Sequence, residues 1–196
     1  GHFAPKTKKP KWPQLPTEGQ AIFVRSSMFE VVSVHCWTSV NLERNQRLLK
    51  SWRTALRPAN CHAVFGKDVQ LQMLPQVVLG LVLRQRENSI SSEDFLVTSM
   101  HLKSSVKQEI LDQLQVSAEH LKARQFDAFI RAARETVGGS CPLLCCGDLN
   151  QRMSEGGLQQ AVCQHGLVDT YAGYSARGYP EPIDFILVSA ESTLFP

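Results

Sequence analysis

The sequence predicts an α/β domain in which apolar strands pack against a long amphipathic helix. Short apolar runs bounded by polar turns are typical of buried strands, and residues 107–137 repeat their apolar side chains at helical spacing. A further apolar run after that helix ends in Gly-Asp-Leu-Asn at residues 147–150. Strands on both sides of a helix indicate a layered α/β fold. The 196 residues suit one domain, or a large part of one.

The first elements are two strands. Residues 20–25 and 29–34 have strand composition and are joined by Ser26-Ser27-Met28. A helix is predicted over 43–57, ending before Pro58. No element is assigned to residues 58–76.

The middle of the chain predicts a strand pair followed by one long helix. Residues 76–83 and 94–99 are apolar strands, and the polar residues 84–93 form the hairpin between them. One helix is predicted over 107–137, ending at Gly138-Gly139, with Lys and Glu on its solvent side. Its apolar stripe comprises Ile110, Leu114, Ala118, Leu121, Phe129 and Ala133, with a slip near Gln125.

The last predicted elements surround a polar motif. The apolar run from Cys141 is a strand that ends at Gly147-Asp148, and a short helix is predicted over 157–165. The final strand is predicted over 183–188.

The charge distribution separates a basic segment from the rest of the chain. Residues 1–19 are predicted to be a Lys- and Pro-rich arm or loop, and residues 20–196 the partial domain. A solvated loop is favoured over a phosphate-binding arm, because the net charge of +3 does not by itself indicate a nucleic-acid partner. The longest apolar run, 77–83, is too short to cross a bilayer, so no membrane partner is predicted.

The six cysteines include no C-x-x-C pair. Zinc sites require such spacing, so structural thiols are favoured. The cysteines therefore predict an intracellular, reducing compartment, either the cytoplasm or a mitochondrion.

Three strand ends carry polar residues that are candidates for a functional site. They are His101, Asp148 with Asn150, and Asp184. Two residues apart in extended backbone, Asp148 and Asn150 would share one face of the sheet. A carboxylate that accepts a proton from water and an amide that holds an oxyanion suit phosphodiester hydrolysis. Taken singly, a turn, a solvated histidine and a capping aspartate are the favoured interpretations, but their combination favours a site.

The order of motifs resembles the endonuclease/exonuclease/phosphatase superfamily, in the branch that contains nocturnin, the Angel proteins and the catalytic deadenylases. The matching segments are Gly19-Gln20-Ala21-Ile22-Phe23, Phe29 to Ser33, Val78 to Leu83, Ser99-Met100-His101-Leu102-Lys103, Cys146-Gly147-Asp148-Leu149-Asn150 and Ile183-Asp184-Phe185-Ile186. The resemblance implies a DNase I-like four-layer α/β sandwich, incomplete in this chain.

The resemblance also implies roles for the matching residues. Asp148 would orient or deprotonate the attacking water, and Asn150 would support the phosphate. His101 would contact the scissile phosphate, and Asp184 would orient a catalytic histidine. The family uses Mg²⁺, for which Asp148 and Asn150 would be ligands here.

The sequence departs from the family pattern at several motifs. The metal-binding glutamate of an early Gln-Glu pair has no counterpart, because the only Gln-Glu, Gln108-Glu109, begins a helix. No Ser-Asp-His segment occurs, and Met100 replaces the polar residue before the histidine. The early-strand asparagine is also absent. About half of the family's site is therefore expected in these 196 residues.

Two functional hypotheses follow from the resemblance. The first is a Mg²⁺-dependent phosphodiesterase acting on RNA 3′ ends or on a nucleotide, similar to a deadenylase. The second is a catalytically incomplete homologue that needs no metal and serves as a scaffold or assembly component of an RNA–protein complex. RNA is the expected partner, and protein partners are expected if apolar sheet faces are exposed. We expect the 196 residues alone not to hydrolyse RNA. An unrelated α/β domain with accidental motif matches is the third interpretation.

Overall fold

The computed structural model describes residues 1–5, 19–39, 60–64, 76–86, 93–102, 105–172 and 181–191. Its strands are β1 (His2–Pro5), β2 (Gly19–Ile22), β3 (Phe29–Thr38), β4 (Asn60–Ala63), β5 (Val77–Gln85), β6 (Phe95–His101), β7 (Leu143–Asp148), β8 (Leu167–Asp169) and β9 (Asp184–Ser189). The helices are α1 (Gln108–Leu114), α2 (Ala118–Val137) and α3 (Leu158–Gln164).

Seven strands form a mixed sheet in the order β4-β3-β5-β6-β7-β9-β8. The pairs β3/β4 and β6/β7 are parallel, and the other neighbours are antiparallel. The parallel β6/β7 pair needs a crossover, which α1 and α2 supply. Strands β1 and β2 form a separate antiparallel pair.

The larger apolar cluster lies on the face of the sheet covered by α2 and α3. Alternate residues of each strand enter it because side chains along a strand point to opposite faces. Its fully buried members include Trp37, Leu96, Met100, Leu121, Phe126, Phe129, Leu143, Cys145 and Leu187.

The opposite face carries a smaller cluster beneath the β1/β2 pair. Its core is formed by Val34, Cys36, Val77, Leu79, Leu81, Leu83 and Phe95. The buried side chain of Gln20 in β2 accepts a hydrogen bond of 2.8 Å from the Ser99 hydroxyl in β6. This polar contact links the two-stranded sheet to the seven-stranded sheet. The described residues therefore form helices, a central sheet and a second small sheet, which confirms the predicted layered α/β fold.

The single helix predicted over 107–137 is wrong, because the chain forms α1 and α2 with a break between them. Gln115 ends α1 in the left-handed conformation, at φ 52° and ψ 41°. Ser117 then begins α2 as its N-cap, with its hydroxyl accepting a hydrogen bond from the His120 amide. Gly138 ends α2 at φ 100°, as predicted.

The buried face of α2 includes two polar residues. Gln125 is fully buried where the predicted apolar stripe slips, and Lys122 is only 5% exposed. The expectation that lysines of this helix lie on its solvent side is therefore wrong for Lys122. The remaining face is apolar, with Phe126 and Ile130 added to the predicted stripe.

Most other predicted elements are confirmed. Strands lie within one or two residues of the predicted 76–83, 94–99 and 183–188, and α3 lies within 157–165. The antiparallel pairing of β5 with β6 confirms their hairpin arrangement. The predicted helix over 43–57 lies outside the described residues. Of the segment 1–19, the two ends are paired in β1 and β2, whereas 6–18 lies outside the described ranges.

All six cysteines are free. Burial raises the pKa of the Cys145 thiol to about 12, and burial also raises the pKa values of Cys36, Cys141 and Cys146. These thiols stay protonated at neutral pH and pack as small apolar groups, as predicted. Within the described ranges, no helix has both the length and the apolar composition needed to cross a bilayer.

Two imidazoles connect β3 to the edge strand β4. The ring nitrogens His35 Nδ1 and His62 Nε2 are 3.2 Å apart, and Ser33 Oγ lies 2.8 Å from His35 Nε2. Burial, reinforced by the neighbouring His62, lowers the pKa of His35 to about 4. Burial also lowers the pKa of His62. The folded protein therefore keeps both rings neutral at pH 7.

We predict that this histidine pair makes the protein less stable as the pH falls from about 6.5 to 4. The unfolded chain takes up a proton near pH 6.5, whereas folded His35 does not until about pH 4, so protons favour unfolding in this window. Urea unfolding at pH 7 and pH 5 measures the effect. His35→Gln should show a smaller loss between the two pH values, and the exposed His120→Gln should keep the full loss. Equal losses in both variants would contradict the prediction.

Candidate active site

Three of the predicted site residues lie in one row at the edge of the sheet. His101 of β6 pairs in register with Asp148 of β7, which pairs in register with Asp184 of β9. Paired residues on neighbouring strands point to the same face of a sheet. The row therefore lies on the face that carries the smaller apolar cluster, the same face as Ser99.

Gly147 allows β6 and β7 to approach closely beside this row. A Cβ atom at this position would overlap the carbonyl oxygen of Met100 on the neighbouring strand. Met100 itself points to the opposite face, where it is buried in the larger cluster. Met100, which stands where the family has a polar residue, therefore contributes to core packing.

The Asp148 carboxylate contacts two other residues of the site, Asn150 and His101. Its Oδ1 accepts a hydrogen bond of 2.7 Å from the backbone N–H of Asn150, and its Oδ2 lies 3.6 Å from His101 Nε2. When His101 is protonated, this contact is an ion pair. Both side chains are accessible, at 33% exposed for Asp148 and 46% for His101. A phosphate or a water molecule can therefore reach them from solvent.

Asn150 does not share a strand face with Asp148, which corrects the sequence expectation. Strand β7 ends at Asp148, and Asn150 is left-handed, at φ 50°. Asparagine tolerates this conformation better than most residues. Its Nδ2 donates to the carbonyl oxygen of Leu102, at 2.8 Å, beyond the end of β6. The side chain thus bridges the ends of β6 and β7, with Oδ1 as its remaining acceptor.

Asp184 begins β9 and is exposed. The backbone before it is tied to the loop after β7, because Leu149 N donates to Ile183 O at 2.9 Å. Glu181 accepts from the backbone N–H and the hydroxyl of Ser154, both at 2.8 Å. These bonds hold the start of β9 against the loop that carries Asn150.

The donor set at this edge fits a magnesium ion held through few protein ligands. Mg²⁺ typically keeps several water ligands and binds one or two carboxylates. Asp148 and Asp184 supply two carboxylates in register, and the Asn150 amide supplies an oxygen. Across the part of the chain that the structure describes, no three His, Cys, Asp or Glu side chains are grouped as a metal site. Any ion here would therefore depend on water for most of its coordination.

One residue that contacts this site, Lys122, was not predicted from the sequence. The buried Lys122 of α2 donates from Nζ to the carbonyl oxygen of Asn150, at 2.6 Å. Its signal was its place in the apolar stripe, directly after Leu121 and four residues before Phe126. A lysine in such a stripe has a specific partner or it destabilises the fold.

The pattern over residues 13–195 matches the model of the endonuclease/exonuclease/phosphatase family. The chain belongs to this family. The predicted family is therefore confirmed, and with it the DNase I-like fold. A comparison with curated protein sequences finds no significant match.

Solved structures share the fold at low sequence identity. The human nocturnin catalytic domain with bound sulfate superposes with a TM-score of 0.61 at 19% identity, covering 96% of this chain and 59% of that one. ANGEL2, a 2′,3′-cyclic phosphatase, gives 0.54 at 14% identity, covering 84% and 56%. A Bacteroides thetaiotaomicron protein of the same family gives 0.52 at 14% identity, covering 84% and 53%. The chain thus spans less than two thirds of each, and nocturnin and ANGEL2 both represent the predicted branch.

We predict that Gly147→Ala destabilises the protein by about 1–3 kcal/mol, because the added methyl group overlaps the Met100 carbonyl oxygen between paired strands. Gly139→Ala is the matched control, since a Cβ at Gly139 has no neighbour within 4 Å. Its free energy of unfolding should change by less than about 0.5 kcal/mol. Urea unfolding measures both variants. Equal stability of the two would show that β6 and β7 are not in close contact at Gly147.

Proposed function

We propose that the protein is a Mg²⁺-dependent phosphodiesterase that acts on RNA 3′ ends. The observation that carries the proposal is the row of His101, Asp148 and Asp184 at one sheet edge, in a chain of the endonuclease/exonuclease/phosphatase family. The separate expectation that the 196 residues alone do not hydrolyse RNA stays a prediction.

The positions of Asp148, His101 and the nearby Asn150 support a role for each of them. The Asp148 carboxylate accepts a proton from, or orients, the water that attacks phosphorus. His101, within 3.6 Å of that carboxylate, donates a hydrogen bond or a positive charge to a phosphate oxygen. Asn150 is fixed by its bonds to Asp148 and Leu102, and its amide group holds the same phosphate in place.

Asp148 and Asn150 would hold the magnesium ion, with Asp184 facing the same edge. When bound, the ion neutralises negative charge on the phosphate. Asp184 would orient a water molecule through its exposed carboxylate. RNA as the substrate class rests on the similarity to ANGEL2, a 2′,3′-cyclic phosphatase, because a 2′,3′-cyclic phosphate requires the ribose 2′-hydroxyl of RNA. The sulfate bound to nocturnin supports only the binding of a tetrahedral anion by this fold.

A catalytically incomplete homologue that acts as a scaffold in an RNA–protein complex is the second candidate function. It is favoured by the internal bonding of the site, where Asp148 already contacts both Asn150 and His101. A cation at Asp148 would therefore compete with the Asn150 N–H at Oδ1 and with the His101 ring beside Oδ2. In this case, the polar row has no catalytic role, and partners bind to another surface of the protein.

The test is a Mg²⁺ titration by calorimetry on the purified protein, followed by an assay of nucleotide release from RNA 3′ ends. We predict that Asp148→Ala weakens Mg²⁺ binding at least about tenfold and abolishes release, because it removes the central carboxylate. Asp112→Ala is the matched control, since Asp112 is exposed on α1 and accepts a bond from Gln108.

The outcomes separate the two candidate functions. Binding and release that depend on Asp148 and survive Asp112→Ala support the phosphodiesterase. Absence of Mg²⁺ binding in the unmutated protein would overturn it and favour the scaffold. Mg²⁺ binding without release would agree with the expectation that the 196 residues alone do not hydrolyse RNA.

A further inference from the structure

The ammonium group of Lys122 is a buried charge that the proposed chemistry does not use. The residue is 5% exposed, on the face of α2 that packs against the sheet. Removing an ammonium group from water is costly unless a strong hydrogen bond replaces the lost hydration. Lys122 has such a bond, because Nζ donates to the carbonyl oxygen of Asn150 at 2.6 Å. A charged donor at this distance makes one of the stronger classes of hydrogen bond.

This bond completes the fixation of Asn150. The residue donates from its backbone N–H to Asp148, donates from its side chain to Leu102, and accepts from Lys122 at its carbonyl oxygen. Three of its four polar groups are thus held, by β7, by the end of β6 and by α2. Asn150 is also one of two non-glycine residues with positive φ in the described part of the chain. Rotation of its backbone would break all three bonds together.

A second contact joins the same helix to the same loop. Gly156 follows Asn150 by six residues and lies against Glu119 in the first turn of α2, where a Cβ on Gly156 would overlap Glu119. The start of α2 therefore meets the loop at two places, Glu119 and Lys122. Within the loop, Gln151 Nε2 donates to the Glu155 carbonyl oxygen at 2.6 Å, which ties these two parts of the loop together.

We propose that Lys122 is a positioning residue of the active site, which holds the loop of residues 149–152 so that Asn150 and Asp148 keep their orientation. The functional meaning rests on the proposed phosphodiesterase activity, whereas the positioning itself does not. Lysine suits this place because its four-carbon stem crosses the apolar layer and delivers a donor to a backbone carbonyl group. Methionine would fill the same space without a donor, and arginine would keep a donor and the charge.

The experiment compares Lys122→Met with Lys122→Arg, and uses Lys107→Met as the matched control on an exposed lysine. Amide hydrogen exchange is measured at residues 148–152 and at the central strand β5. In Lys122→Met, exchange of the Asn150 N–H should rise about 10- to 100-fold, the effect of losing one charge-assisted hydrogen bond. Exchange in β5 should stay as in the unmutated protein. Lys122→Arg should restore most of the protection, and Lys107→Met should change nothing.

Two results would overturn the proposal. One is an unchanged Asn150 exchange rate in Lys122→Met. The other is a uniform rise in exchange throughout the protein, which would make Lys122 a stabilising residue only. If Lys122→Met does not fold, Lys122→Leu, which also lacks a donor, takes its place in the same measurement.

A kinetic measurement connects the positioning to function. If the protein releases nucleotides from RNA, Lys122→Met should lower kcat more than it raises KM, because the substrate-facing groups remain but are misoriented. If the unmutated protein neither binds Mg²⁺ nor releases nucleotides, the proposed function fails, and the exchange result alone decides the positioning of Asn150. An unchanged kcat in a folded, active Lys122→Met protein would refute the proposed role of Lys122.

Discussion

The backbone pairing of β6, β7 and β9 is the constraint on which the rest of the site depends. His101, Asp148 and Asp184 come from segments far apart in sequence, and only the strand register brings them into one row. A shift by one residue in any of the three strands would turn its polar side chain toward the opposite face of the sheet, which carries the larger apolar cluster. Gly147 maintains this register, because its missing side chain permits the close approach to Met100.

The polar groups around this row are held from several layers of the fold. Ser99 bonds to Gln20 from the small sheet, and Asn150 bonds to Lys122 from the helical layer. Side chains held in this way lose little conformational entropy when a substrate binds. Asp148 has its own contacts within the site, because Oδ1 accepts from the Asn150 N–H and Oδ2 lies 3.6 Å from His101 Nε2. A phosphate or a cation therefore competes with groups already in place. Whether a phosphate or a cation can displace these contacts decides between the two candidate functions.

The longer strands β5, β6, β7 and β9 and their polar ends could be predicted from the sequence, because apolar runs bounded by polar residues identify buried strands without tertiary information. The short strands β1, β4 and β8 could not, and the pairing that forms the row required the structure. The break between α1 and α2 could not, because Gln115 has no special preference for the left-handed conformation. Asn150 was misplaced because a two-residue spacing implies a shared face only while the strand continues. The role of Lys122 was missed because its partner is a backbone carbonyl, which has no sequence signal. Local patterns thus predicted the elements, and long-range polar contacts required the structure.

The position of β9 between β7 and β8 has a consequence for synthesis of the protein. The ribosome produces β7 and β8 before β9, yet among the described strands β8 pairs with β9 alone. Until residues 184–189 emerge, the outer edge of β7 exposes unpaired backbone groups beside the apolar Leu143 and Cys145. Open edges of this kind pair readily with other chains. Late pairing of β9 would therefore leave a defined strand edge on β7 open to other chains, and a chaperone that covered this edge would protect it.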